Sequence, residues 1–305
     1  VRWQVVVNPA AGRGRTARHL PRLRAAFAAH GAPSVHVATS LADAVAAARR
    51  AATRGWGIVA CGGDGTVAAL AGVAAETGAH LAVVPTGAGN DFARTLGLRD
   101  PWQAIALLEG DATATRVDLG RAGAAWFTSV ANTGFDAAAN RWANDIRWLR
   151  GTPLYLVAMA RTLWHYRPMR FRLALDDDPA FEVGAWLVAI GNSSTYAGGM
   201  RIAPAASLTD GRLDVVVVDG AATRAQLVTN LPRVFRGTHV HHPLVHTWRA
   251  RCIRIEAPRR ADADLWAAGE RVGPLPMTLE AVPGALTLRV PRTGGTACRG
   301  GFNAP

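Results

Sequence analysis

Short apolar runs alternate with longer amphipathic stretches through the first hundred positions. Val5-Val6-Val7 closes a strand-like run that starts at Val1. From Thr16 to His30 the apolar positions Leu20, Leu23, Ala26 and Phe27 fall on one helical face. Val35 to Ala38 reads as a second strand, and Ser40 is placed to cap the helix after it. Gly57 to Cys61 and Leu81 to Val84 are the third and fourth strands, with a helix between them. Strand, loop and helix repeating in this way predict a doubly wound α/β domain.

Beyond Val117 the pattern changes. Residues 171–190, 213–219, 251–257 and 275–290 are short β-like runs broken by Gly, Pro and Asp, which predicts an antiparallel β domain. A Trp- and Arg-rich stretch, Asn140 to Arg172, is expected to hold a helix around Leu154 to Trp164. The Gly-rich tail from Thr293 should fray.

Composition narrows the partners. The chain has 305 residues, half of them hydrophobic, enough to bury a substantial core and exclude disorder as the main state. Its net charge of +12 comes entirely from arginine, for no lysine occurs. A phosphate group must therefore be held by backbone N–H groups, Arg or metal rather than by a P-loop lysine. The charge favours an anionic partner, while no DNA- or RNA-reading motif accompanies it, so nucleic acid is not expected. Three scattered cysteines, Cys61, Cys252 and Cys298, argue against a disulfide framework and fit a reducing compartment. No apolar run reaches the roughly 18–20 residues of a spanning helix, and with a strand-like run from Val1 to Val7 no signal peptide is expected. A cytoplasmic, peripherally membrane-associated protein is expected.

Three Gly-rich loops carry the candidate chemistry, each where a strand ends. They are Asn8-Pro9-Ala10-Ala11-Gly12-Arg13-Gly14, Gly62-Gly63-Asp64-Gly65-Thr66 and Pro85-Thr86-Gly87-Ala88-Gly89-Asn90-Asp91. Glycine lets backbone N–H groups approach phosphate oxygens, and the next helix N-terminus adds positive potential. Any one of them alone would read equally well as a tight turn. The spacing matches neither a dinucleotide fingerprint nor a Walker loop.

These loops resemble the three signatures of the diacylglycerol kinase catalytic family, which includes soluble bacterial lipid kinases and sphingosine kinases. The resemblance continues through Asn132-Thr133-Gly134-Phe135-Asp136, Gly198 to Pro204, Leu208 to Asp214 and Gly269-Glu270. It implies a nucleotide-binding α/β domain (1–117, with a return segment 285–305) followed by an antiparallel β-sandwich domain for the lipid (118–284). It also implies ATP and Mg²⁺ as cofactors and a lipid hydroxyl as phosphoryl acceptor. Carried over by position, the nucleotide site is Asn8, Pro9, Gly12, Gly14, Thr39, the run Gly62, Gly63, Asp64, Gly65, Thr66, Val67 and Ala68, and then Gly87, Ala88, Asn90 and Asp91. Glu270 and Asp64 are the implied catalytic carboxylates. Asp64, Asp91 and Asp210 resemble the acidic set that organises Mg²⁺ and water. Ser207, Asp210 and Arg212 match a structural Mg²⁺ loop, Ser207 and Arg212 through their carbonyls.

The sequence also departs from the family. Its Asp-Gly-Glu tripeptide reads Ala268-Gly269-Glu270 here, Ala68-Ala69 stands where Asn-Glu is frequent, and Ala88 replaces a frequent threonine. Two rivals therefore stand beside the lipid kinase. One is a lipid- or nucleotide-binding regulator that has lost catalysis. The other is NAD kinase, which shares the second loop but not the Asn90-Asp91-Phe92 signature.

Trp142, Trp148, Trp164, Tyr155 and Tyr166 are interleaved with Arg141, Arg147, Arg150, Arg161, Arg167 and Arg170. This stretch is expected to meet an anionic membrane surface, although each Trp alone reads equally as packing between domains. An exposed edge of the β domain could pair two copies into a homodimer. His239, His241, His242 and His246 follow no zinc-ligand spacing and read as ordinary loop residues.

Overall fold

A computed structural model describes residues 1–110, 112–145, 161–257 and 263–292. The first part winds as β1 (Trp3–Val7), α1 (Arg15–Ala29), β2 (Ser34–Val37), α2 (Leu41–Thr53), β3 (Gly57–Gly62), α3 (Asp64–Thr77) and β4 (His80–Pro85). All four strands are parallel, side by side in the order β4-β3-β1-β2. β3 is buried along its whole length, as expected when helices cover both faces of a parallel sheet. Local signals act where expected: Ser40 Oγ accepts the Asp43 N–H and starts α2, whose inner face is the small residues Ala44, Ala47, Ala48 and Ala51.

Two short helices, α4 (Asp91–Thr95) and α5 (Pro101–Ala106), lead into β5 (Ala112–Ala122). Then come β6 (Ala125–Phe127), β7 (Val130–Gly134), α6 (Phe135–Asp145), β8 (Met169–Leu175), β9 (Phe181–Gly191), β10 (Leu213–Asp219) and α7 (Arg224–Arg236). The last strands are β11 (Val245–Ala250), β12 (Cys252–Glu256), β13 (Asp264–Ala267), β14 (Glu270–Pro274) and β15 (Met277–Pro291). Strands β7 to β14 pair antiparallel, with β8 alternating buried and open residues as a one-faced strand should.

β15 belongs to both parts. Its early residues pair with β12, while Thr287 and Leu288 lie parallel to His80 and Leu81 of β4. β5 runs antiparallel beside it almost throughout, with a register break between Val282 and Leu286. Leu279 enters the core of Phe171, Leu173, Ile190 and Val215, whereas Leu286 and Leu288 enter that of Val5, Phe27, Ile58 and Leu81.

The length of β5 and the existence of α7 depart from the sequence expectation. Thr113, Thr115 and Arg116 interrupt the apolar pattern of β5, and its pairing partner lies far along the chain. In α7 the helical pattern is present, but the helix buries no residue, so no core-facing stripe marks it. Most of the helix expected around Leu154 to Trp164 lies outside the described residues; 161–165 are helical.

Asp118 fastens the register break. Its Oδ1 accepts the Gly284 N–H at 2.7 Å and its Oδ2 the Gly211 N–H at 2.6 Å, while its own N–H donates to Leu208 O. Asp118→Ala strands both N–H groups and should cost about 3 kcal/mol in denaturant unfolding. A loss below about 1 kcal/mol would show that this carboxylate is not the fastener.

Candidate active site

Because β1, β3 and β4 are adjacent and parallel, their three following loops emerge at one edge of the sheet. Asn8 Nδ2 donates to Thr66 Oγ1 at 2.9 Å, joining the first loop to the opening turn of α3. Pro9 O accepts the Ala17 N–H, and Gly12 and Gly14 carry the chain round into α1. Gly87 is fixed by proximity: a Cβ there would lie 2.4 Å from Gly63 Cα, so the second and third loops touch backbone to backbone. Asn90 holds that contact by accepting the Gly87 N–H on its side chain at 2.8 Å. Gly65 and Thr66 belong to the first turn of α3, whose N–H groups have no acceptor within the helix. Val67 and Ala68 are buried below them.

Asp64 Oδ1 accepts the N–H groups of Asp91 (2.6 Å) and Phe92 (3.4 Å). Asp91 is itself buried; its Oδ2 accepts the Gly198 N–H at 3.0 Å, and its Oδ1 has no hydrogen-bond partner. Burial pushes the Asp91 carboxyl above its ordinary range and the charge of Asp64 adds to that, against the pull of the Gly198 and Gly199 N–H groups. A Cβ at Gly89 would meet Asp64 Oδ2 at 2.8 Å and Asp91 Oδ2 at 3.2 Å, so both carboxylates flank this one glycine.

These groups form one wall of a cavity of about 380 Å³. Asp64, Ala88, Gly89 and Asp91 line it on the loop side. Across it stand Asn132, Asp136, Asn140 and Tyr196, and the tip Ala268-Gly269 of the β13–β14 hairpin. Asn132 Nδ2 donates to Asp136 Oδ2 at 2.9 Å, leaving Asn132 Oδ1 buried without a partner. Burial, helped by the charges of Asp136 and Asp91, pushes the Tyr196 phenol well above its ordinary range. Nothing in the resemblance points to Asn140 or Tyr196, and it assigns no role to Asn132 or Asp136, although all four line the cavity. The four-residue spacing of Asn132, Asp136 and Asn140 in an Ala-rich run was the available signal.

The other expected residues are dispersed. Thr39 donates its N–H and hydroxyl to Asp43 and serves the start of α2. Glu270 is exposed at the start of β14, outside the cavity lining. Asp210 does not join Asp64 and Asp91, contrary to the expected acidic set. It pairs with Arg249 and accepts the Arg212 N–H, while its neighbours Leu208 and Gly211 are fastened to Asp118. Ser207 Oγ lies 3.4 Å from Thr209 Oγ1. Among the described residues, no three His, Cys, Asp or Glu side chains converge as a metal-ligand group. His239 Nε2 is 3.1 Å from Ile202 O, and His246 Nε2 is 3.2 Å from an Asp219 carboxylate oxygen. Of the aromatic residues, Tyr166 is buried against Phe135 and Trp186, Trp142 lies under Arg161, and Trp164 is exposed. Trp148, Tyr155, Arg147 and Arg150 fall outside the described residues.

Known proteins share this arrangement. Residues 2–122 match the diacylglycerol kinase catalytic domain, and 129–290 the YegS C-terminal NAD kinase beta sandwich-like domain. A Mycobacterium tuberculosis protein named diacylglycerol kinase is 37% identical over 244 residues, 78% of this chain and 77% of its own length. Its Bacillus subtilis namesake is 27% identical over 282 residues, 90% of this chain and 91% of its own length. The crystal structure of a diacylglycerol kinase from Bacillus anthracis superposes with a TM-score of 0.75 at 25% identity, covering 95% of this chain and 97% of that one. An NAD kinase from Archaeoglobus fulgidus shares the fold alone, with a TM-score of 0.52 at 12% identity over 97% of this chain and 96% of its own. The chain belongs to the diacylglycerol kinase catalytic domain family, and is thereby a kinase.

The hairpin tip records its departure in backbone terms. Ala268 has φ +50° and Gly269 φ +80°, a left-handed pair that suits Asp-Gly or Asn-Gly and strains Ala. Replacing Ala268 with Asn or Asp should therefore raise unfolding free energy by about 1 kcal/mol, read from thermal melts. An unchanged melt would mean that the turn carries no such strain.

Proposed function

We propose that this chain is a lipid kinase that transfers the γ-phosphoryl group of ATP, with Mg²⁺, to a hydroxyl of diacylglycerol or a related lipid. The observation that carries the reading is the convergence of the second and third glycine loops, with the Asp64–Asp91 pair, on one cavity faced across by the β part of the fold. In this reading residues 1–117 with 285–305 hold the nucleotide, and 118–284 hold the lipid. The names of the relatives support a lipid acceptor.

The residues suit both cofactors. Asn8, Pro9, Gly12, Gly14 and the turn Gly62 to Ala68 would hold the nucleotide, with Thr39 at the next strand end and Gly87, Ala88 and Asn90 opposite. The partnerless Asp91 Oδ1 and the neighbouring Asp64 are hard oxygen donors of the kind Mg²⁺ takes, and the first turn of α3 favours negative charge. Bound there, Mg²⁺ would neutralise charge on the transferred group. Asp64 keeps one oxygen committed to the α4 N–H groups, which orients the other beside Gly89. We assign Asp64 and Glu270 to receiving the acceptor's proton. Ser207, Asp210 and Arg212 remain a separate loop in this scheme, with Arg249 already neutralising Asp210.

Incubation with γ-labelled Mg·ATP and micelles of diacylglycerol, ceramide or sphingosine should put label into the organic phase. Asp64→Asn should lower that rate by about 10²–10⁴-fold while nucleotide binding persists. ATP binding without turnover, cured by Ala268→Asp, would instead establish the regulatory reading that the missing carboxylate motivates.

The raised Asp91 carboxyl fixes a second outcome. Its folded pKa lies above the unfolded one, so the cation-free fold loses stability as pH rises through it. Asp91→Asn should melt higher than the parent at neutral pH without Mg²⁺, and Mg²⁺ should stabilise only the parent. That stabilisation should fade as the pH falls from neutrality into the raised range. Equal Mg²⁺ effects on parent and variant would remove Asp91 from the cation site.

A further inference from the structure

Large apolar side chains left in water are few here, and they are gathered. Among the described residues six are exposed, and Trp164, Val228, Leu231 and Phe235 are four of them. Val228, Leu231 and Phe235 recur at the three- and four-residue spacing of one helical face on α7. α7 is well built. A reciprocal Thr223–Gln226 capping box starts it, and Gly237 ends it in the left-handed conformation. Yet none of its residues is buried; Leu227 and Val234 only lean on the cores beneath. Trp164, 77% exposed, is held beside this helix by Arg224, whose guanidinium donates to the carbonyls of Leu163, Trp164 and Tyr166.

Charge selects the occupant of this face. α7 contains Arg224, Arg233 and Arg236 and no Asp or Glu. A second copy meeting it about a two-fold axis would set arginines against arginines. A bilayer with anionic headgroups offers the complement at the rim and an apolar interior for the stripe. The position fits as well. Arg201 N–H donates to Val234 O, and Met200 next to it is bridged to Tyr196, which lines the cavity. One short loop therefore connects the exposed helix to the cavity wall.

We propose that α7 and Trp164 form the membrane-docking face of this protein. Val228, Leu231, Phe235 and Trp164 enter the acyl boundary of an anionic bilayer while Arg233 and Arg236 meet its phosphates. The proposal rests on the lipid-kinase reading for its purpose, since the acceptor is then taken from that bilayer. The docking residues are distinct from those assigned to the chemistry.

The test compares the parent with V228S/L231S/F235S and with R233E/R236E, all solvent-exposed substitutions checked by thermal melting. Sedimentation with vesicles of phosphatidylcholine alone, or with added phosphatidylglycerol, should show the parent binding only the anionic set. The serine variant should partition at least about tenfold more weakly, and R233E/R236E should lose the anionic preference. Vesicles should also slow amide exchange across 224–236 in the parent. Parent and variants should phosphorylate a water-soluble short-chain diacylglycerol equally, with the variants failing only on bilayer-embedded acceptor. Absent turnover of the soluble acceptor by every form would sink the kinase reading, and vesicle binding with exchange protection would still decide the docking face. Undiminished vesicle binding by the variants, or exchange protection elsewhere, overturns the proposal. So does a parent that ignores vesicles, including one that is a dimer dissociated by the serine substitutions.

Discussion

The paired strands β5 and β15 are the constraint on which the remaining structure depends. They pass through both hydrophobic cores, so the two parts of the molecule share a hydrogen-bonded ladder rather than a flexible linker. The register break after Val282 is where the ladder passes from one core to the other, and Asp118 fills it with a carboxylate that satisfies two backbone donors. A buried acid with complete hydrogen bonding resists both rotation and slippage at that point. The cavity wall built on β7, α6 and the β13–β14 hairpin is thus held at a fixed offset from the glycine loops.

Electrostatics at the loops follows from this. Asp64 and Asp91 sit close because α4 begins immediately after the third loop and draws the Asp64 carboxylate onto its first N–H groups. Two neighbouring carboxylates, one buried, form an arrangement that costs free energy until positive charge arrives. The Gly198 and Gly199 N–H groups and the charge of Arg94 offset only part of it, because burial still holds the Asp91 carboxyl above its ordinary range.

Much of this was legible in the sequence, and what was not has physical reasons. The parallel strands and the Ser40 cap were visible because they rest on local apolar runs and one side-chain hydrogen bond. The three loops were readable as one group at adjacent strand ends because glycine has few other reasons to recur there three times. The separation of Asp210 from Asp64 and Asp91 was not, since its partner Arg249 is brought to it only by folding. Nor was Tyr196, whose phenol is pushed up by burial first and then by two acids that folding brings near it. The α7 helix escaped because its apolar face looks outward, so its pattern could not be read as burial.

The place of β15 also sets an order of assembly. β4 is flanked by β3 on one side and on the other by a strand that lies far later in the chain. While the polypeptide is being made, the growing α/β layer carries a bare, apolar strand edge throughout synthesis of the β half. Such an edge invites pairing with another nascent chain. Pairing with β15 therefore comes late and covers the start of that edge, at His80 and Leu81. A fragment ending before β15 would keep that part of the edge permanently open.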